Sequence, residues 1–295
     1  MEIKACRLCP RECGANRSKG LGACGGGSFV KVAKAALHQW EEPCISGSNG
    51  SGTVFFSGCP LRCCFCQNYQ LSAQNFGKEI TTQRLADIFL ELQDQGAHNI
   101  NLVNPTHYVP WIIEALGIVK HRLHLPVVYN SGGYERCETL RMLDGLVDIY
   151  LPDLKFAESD RSKRYAGAPD YFDVATSAIL EMYRQVGKIA FDQDGLLKKG
   201  LIIRHLVLPK GRFDSVAVLT WIAQNLPKEK ILLSLMSQFT PFYRCAEFPE
   251  INRRISTFEY NHVLSKAQEL GLKGYMQEKS SAKEEYTPLF DLSGV

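Results

Sequence analysis

A chain of 295 residues that is 45% hydrophobic is long enough to bury a full core, as one large domain or one domain with an appendage. Lys and Arg number 34 against 31 Asp and Glu, a scattered balance of +3 that argues against a nucleic-acid footprint. The opening residues MEIKACRLCPREC carry no apolar signal core, and no window approaches the ~18 apolar residues of a membrane span, so the expectation is a cytoplasmic protein with no membrane partner.

In chain order, Cys6, Cys9, Cys13 and Cys24 come first, in C-x2-C-x3-C-x10-C spacing among Pro10, Gly14, Gly22 and Gly25. Eleven cysteines in short-spaced clusters point to metal rather than disulfides in a reducing compartment. This quartet is expected to hold one centre, a closed zinc site being slightly favoured over an iron–sulfur cluster. Glycine-rich stretches at 25–28 and 47–52 follow, so residues 1–49 read as a four-cysteine metal-binding segment with a linker, and residues 50–295 as a barrel with a C-terminal extension.

Six runs read as strands: Thr53–Phe56, Asn99–Val103, Pro126–Tyr129, Val147–Leu151, Leu201–Leu208 and Ile231–Met236. Helical stripes lie between them: Leu85, Ile88, Phe89 and Leu92 before Gly96; Ile112, Ala115, Leu116 and Val119 behind Pro110; Ala175, Ile179, Met182 and Val186 before Gly187. Val216, Leu219 and Ala223 suggest a further helix, and Ser256 to Leu270 a last one. Alternation of strand and helix predicts an α/β fold, an incomplete parallel (β/α)6 barrel with its chemistry at the C-terminal ends of the strands.

The unusual residues fall at those ends. CPLRCCFC, residues 59 to 66, follows the first strand; Asn104-Pro105-Thr106-His107 follows the second, Asn130-Ser131-Gly132-Gly133 the third and Asp153-Leu154-Lys155 the fourth. Cys59, Cys63 and Cys66 stand in C-x-x-x-C-x-x-C spacing on a loop, which lets three thiolates hold a four-iron cluster and leaves one iron open. Cys64 reads as a loop cysteine, because adjacent side chains diverge. The competing reading is a structural zinc knuckle that recruits Cys44 or Cys64.

C-x-x-x-C-x-aromatic-C after a barrel strand, with Phe65 as the aromatic, resembles the signature of radical S-adenosylmethionine enzymes. Within them the chain is similar to activating enzymes of glycyl-radical enzymes, such as pyruvate formate-lyase activating enzyme-like proteins, over about residues 50 to 280. The resemblance implies a 4Fe–4S cluster, S-adenosylmethionine as cofactor, and a 5′-deoxyadenosyl radical that removes hydrogen from a protein or peptide, with a flavodoxin or ferredoxin as electron donor. It implies that Arg204 pairs with the cofactor carboxylate, where a guanidinium fork suits the task; a barrel salt bridge to Asp153 explains the same residue as well. Asp153 and Lys155 match the family's Asp-Leu-Lys beside the cofactor, the bland alternative being a surface ion pair. Asn130 and Ser131 stand where the family has an Asp-Thr-Asn-Gly turn. The family's Gly-Gly-Glu-Pro after the second strand is replaced by Asn-Pro-Thr-His, which leaves Asn104 and Thr106 to position the amino group. His107, beside Tyr108, reads as a hydrogen-bonded loop residue more readily than as a proton donor. The alternative of another class is a non-catalytic iron–sulfur or zinc-binding scaffold for electron transfer.

Overall fold

The computed structural model describes residues 2–277 and 288–295. Its strands are β1 (Val30–His38), β2 (Ser51–Phe56), β3 (Lys78–Ile80), β4 (Ile100–Val103), β5 (Val127–Ser131), β6 (Ile149–Pro152), β7 (Ala190–Phe191), β8 (Leu197–Leu206), β9 (Leu232–Met236) and β10 (Gly274–Met276). Strands β2, β4, β5, β6, β8, β9 and β10 run parallel and side by side in that order. β1 lies antiparallel on β2, β3 antiparallel on β1, and β7 antiparallel on β8. Among the described residues β10 does not return to β3, so the sheet stays open, the incomplete barrel expected.

All six expected strands form. They are legible because a parallel sheet covered by helices buries both faces, and β2, β5 and β6 are buried at every position. The α-helices of five residues or more are α1 (Thr82–Asp94), α2 (Val109–Val119), α3 (Cys137–Arg141), α4 (Ser159–Ala166), α5 (Tyr171–Val186), α6 (Arg212–Asn225) and α7 (Thr257–Glu269). Thr81 caps α1 by accepting the Arg84 N–H, and Ser256 and Glu259 form a capping box at the start of α7. The expected stripes of α1, α2 and α5 are buried. In α6 the stripe differs: Val218, Leu219 and Ile222 are buried, while Val216 and Ala223 are only half-buried. Apolar residues surround that helix on every side, so periodicity does not single out its inner face.

Two additions escaped the sequence reading. β1 and β3 extend the sheet beyond β2, and the short β10 extends it beyond β9. The outer edge of β1 is then covered by the C-terminal tail: Leu292 donates to the Ala33 carbonyl at 3.1 Å and Ala35 to the Ser293 carbonyl at 2.9 Å. Lys34 pairs with Asp291 at 3.0 Å beside them.

The loops after β5 and β6 lock together. The buried Tyr171 hydroxyl accepts the Lys155 N–H at 2.9 Å and lies 2.9 and 2.8 Å from the Gly132 and Asp153 carbonyls. Gly133 sits at φ +77, and a Cβ there would fall 2.1 Å from the Asp153 carbonyl oxygen. Gly145 has a similar φ of +80 with nothing within 4 Å of its Cβ position. Gly145→Ala is therefore expected to cost about 1 kcal/mol of left-handed strain alone, and Gly133→Ala at least ~2 kcal/mol more, read from denaturant midpoints. Equal losses would mean that the carbonyl contact does not constrain the loop.

Candidate functional site

An open cavity of about 240 Å³ lies at the C-terminal ends of the parallel strands. Its wall includes Cys59, Cys63 and Cys66 from the loop after β2, Asn104 after β4, Asn130 and Ser131 at the end of β5, Asp153 and Lys155 after β6, and Arg204 in β8. The convergence anticipated from the sequence is thus met by residues scattered over 145 positions, from 59 to 204.

The cysteine loop is held by aromatic packing. Phe65 meets Phe156 and Phe239 edge-on at 6.1 and 5.9 Å. Cys64 turns away from the cavity, buried beside Cys245, with its carbonyl accepting the Arg244 N–H at 2.9 Å and its own N–H donating to Tyr165 at 2.8 Å. Cys44 packs elsewhere, in a small cluster with Ile45, Val128 and Ile149. Burial and the neighbouring Cys63 and Cys66 push the Cys59 thiol well up; burial likewise pushes Cys63 up to about 12, against the opposing charge of Lys155. Cys59, Cys63 and Cys66 are half-buried and burial raises all three thiols, which suits a cationic centre that takes them as thiolates. The donor set would suit a four-iron cluster, with Cys59, Cys63 and Cys66 as its three protein ligands.

Opposite them stands a charged lattice. Arg204 Nε donates to Asp153 Oδ1 at 2.9 Å, Nη2 to Asn130 Oδ1 at 2.6 Å and Nη1 to Glu41 Oε2 at 3.3 Å. Lys155 Nζ reaches the other Asp153 oxygen at 2.5 Å. Burial works to raise the Asp153 carboxyl, but Arg204 and Lys155 outweigh it and hold it below the ordinary range. The barrel salt bridge is thus present, and so is a guanidinium that lines the cavity; the two readings of Arg204 share one residue. Asp153 and Lys155 are half-buried on the cavity wall, their side chains 14% and 18% exposed, which argues against an ordinary surface pair.

Thr106 is not brought to the cavity. It is buried and donates its hydroxyl to Glu135 Oε1 at 2.6 Å, because that inward carboxyl is the nearest acceptor for a hydroxyl otherwise cut off from water. His107 is buried too, with Nε2 2.7 Å from the Ser57 carbonyl, and burial pushes its pKa down to about 3, so it stays neutral as a loop residue. Asn104 keeps its place on the wall at φ +62, a left-handed conformation that Asn tolerates, and its amide donates to the Gly58 carbonyl.

Two carboxyls were not anticipated. Glu41, after β1, accepts from Asn101 at 3.1 Å, Asn130 at 3.2 Å and Arg204, and lines the cavity. Glu135 accepts from Thr106 and, at 3.0 Å, from the Tyr129 hydroxyl, beneath the cavity floor. No local pattern marks either: one is carried in by a strand that the sequence left unread, and the other lies in a polar loop that reads as surface.

The N-terminal cysteines lie outside the cavity. Cys6, Cys9 and Cys24 are buried and Cys13 is exposed. The Cys24 carbonyl accepts the Cys59 N–H at 2.9 Å, which joins that segment to the cavity loop.

The chain is 30% identical over 284 residues to the uncharacterized protein MJ0674 of Methanocaldococcus jannaschii, covering 92% of this chain and 76% of that protein. The two belong to one family. Residues 45–165, which carry the Cys59 to Cys66 loop, match the family described as a 4Fe-4S single cluster domain. Solved structures that match include methylornithine synthase (PylB), with a TM-score of 0.49 and 18% identity over 73% of this chain and 63% of that one. SuiB of Streptococcus suis bound to S-adenosylmethionine matches with a TM-score of 0.47 and 13% identity, over 72% and 44%. The chain spans less than two thirds of either. No helix among the described residues is long and apolar enough to cross a membrane.

Burial pushes the Glu135 carboxyl up from 4.5 to about 7, against the hydroxyls that face it. A carboxyl that holds its proton more tightly when folded favours the fold below the unfolded value, and that benefit is lost as pH rises through about 7. Glu135→Gln is expected to remove a loss on the order of 3 kcal/mol between pH 4.5 and 7.5. Anaerobic urea midpoints across that range should show a flatter profile for the variant and higher stability than the parent at pH 8; parallel profiles would show that Glu135 does not hold its proton in the fold.

Proposed function

We propose that this chain is a radical S-adenosylmethionine enzyme acting on a protein or peptide, with activation of a glycyl-radical enzyme as the specific role. The observation that carries the reading is the cysteine loop: Cys59, Cys63 and Cys66 line the cavity while Cys64 turns away to Cys245, so three thiols and not four face the reaction space. When bound, a 4Fe–4S cluster supplies the electron that splits S-adenosylmethionine to the nucleoside radical that takes hydrogen from substrate.

The protein's part is to hold, orient and exclude water. Arg204 offers a fork to a carboxylate, with Asp153, Glu41 and Asn130 fixing its plane. Asn104 and Ser131 supply polar groups on the same wall. Phe65 and Phe239 keep the cysteine wall dry.

A polypeptide substrate is favoured by the shape of the opening. A second cavity of about 400 Å³ adjoins the first along the unclosed seam between the residues after β1 and strands β9 and β10, sharing Trp40, Glu41, Arg204, Met236 and Gln238 with it. A groove along a seam suits an extended chain better than a compact metabolite. The electron donor in this reading is a flavodoxin or ferredoxin.

Anaerobic reconstitution with iron, sulfide, dithionite and S-adenosylmethionine is expected to yield 5′-deoxyadenosine. Serine at Cys59, Cys63 or Cys66 should abolish it and Cys64→Ser should not; the reverse result for Cys64 and Cys66 would sink the ligand assignment. Arg204→Lys keeps the charge but loses the fork, so S-adenosylmethionine binding measured by equilibrium dialysis should weaken at least ~10-fold with a modest fall in Tm. Unchanged binding with a large fall in Tm would assign Arg204 to the salt bridge alone.

A further inference from the structure

Cys6, Cys9, Cys13 and Cys24 lie outside both the cavity and the 45–165 match, yet they are gathered in one place. The segment that carries them folds back on itself: Cys6 N–H donates to Ala15 and Gly14 N–H to Cys6, both at 3.0 Å, around a tight turn in which Glu12 N–H donates to Cys9 at 3.0 Å. The loop at 22–26 closes through Gly22 N–H to Gly26 at 2.8 Å. A Cβ on Gly22 would stand 3.4 Å from the Cys24 sulfur and 3.6 Å from the Cys13 sulfur, so both sulfurs share the space above one glycine. The Cys24 thiol has Cys6 and Cys13 as charge neighbours, and Cys9 has Cys24 and Cys6.

An independent observation concerns charge. Arg17 is 2% exposed, and no carboxylate among the described residues lies within ion-pair reach of it. Its guanidinium donates to the His107 carbonyl at 2.6 Å and to the Cys24 sulfur at 3.4 Å, stacks over Trp111 at 5.4 Å, and leaves Nε without a partner. A buried cation without a counter-charge costs several kcal/mol. Neutral thiols do not supply that charge. Four thiolates on a divalent ion, or on an iron–sulfur cluster, carry a net charge of about −2, their protons having gone to solvent.

We infer that Cys6, Cys9, Cys13 and Cys24 hold a second, closed thiolate metal centre whose excess negative charge is balanced by the buried guanidinium of Arg17. Four protein ligands leave no open position, so the centre does no substrate chemistry. Its work is to fix the cavity loop. The Cys24 carbonyl receives the Cys59 N–H, and a Cβ on Gly58 would fall 2.3 Å from that carbonyl oxygen. Arg11 donates to the Pro60 carbonyl at 2.8 Å and Arg62 to the Ala23 carbonyl at 2.9 Å, which stitch the same two segments. Among the described residues no three metal-ligating side chains stand in single-ion geometry, so this centre requires the four thiols to draw together on the metal.

The test separates this centre from the cavity loop by removing the loop's thiols. A Cys59→Ala, Cys63→Ala, Cys66→Ala triple variant, purified anaerobically, is expected to retain about one zinc or about four irons per chain, and adding Cys9→Ser with Cys24→Ser should remove them. Colourless zinc-bearing protein and brown iron-bearing protein distinguish the two forms, and either supports the centre. A folded triple variant without metal, or equal metal with and without the quartet, would overturn it. Should circular dichroism show the triple variant unfolded, the parent protein decides: about four irons plus one zinc, or about eight irons, supports the centre, and about four irons with no other metal overturns it. Arg17→Gln, which removes the charge from a polar side chain, should release the quartet's metal to a chelator at least ~10-fold faster.

Discussion

A guanidinium that is largely shielded from water governs the site. Arg204 emerges from β8 into the cavity wall, and burial makes its charge tolerable only with acceptors on every edge. Those acceptors come from three other parts of the chain: Asp153 after β6, Asn130 in β5 and Glu41 after β1. The parallel backbone pairing of Asp153 with Arg204 sets the spacing, and the side chains complete it. The need to match one charge thus ties two loops and a strand end together, and with them the shape of this wall.

The opposite wall is held by different means. Its loop has no regular structure to support it, so Phe65 is wedged between Phe156 and Phe239, and Cys64 and its backbone are tied to Tyr165 and Arg244. The vicinal pair Cys63 and Cys64 divides the labour: one side chain faces the cavity and the other packs inward against Cys245. Electrostatics orders one wall and packing the other.

Much of this was legible in the sequence, and the reason is local. Parallel strands buried on both faces are short apolar runs, and the loops after them carry residues too polar or too cysteine-rich to be connectors. Cys59, Cys63, Cys66, Asn104, Asp153 and Lys155 stand in such loops, while Arg204, inside β8, was marked by the family resemblance. Thr106 was not placed correctly, because its partner Glu135 lies 29 positions on and its inward turn depends on that pairing. Glu41 escaped for a related reason: β1, Val-Lys-Val-Ala-Lys-Ala-Ala-Leu-His, is alanine-rich and interrupted by two lysines, and only its long-range pairing with β2 reveals it as a strand. Local physics wrote the frame, and contacts between distant segments wrote the carboxyls within it.

The tail that lies along β1 bears on how the protein is made. β1 and β2 are synthesised early, but the groups on β1 that Leu292 and Ser293 satisfy wait for roughly 250 further residues, on the order of 10–50 s of translation. During that interval part of the strand is an open template for any other extended chain. Lys34, on that stretch of edge, is the kind of residue that discourages such pairing, and it later turns to Asp291 when the tail arrives. The same side chain that guards the nascent edge becomes the latch that closes it.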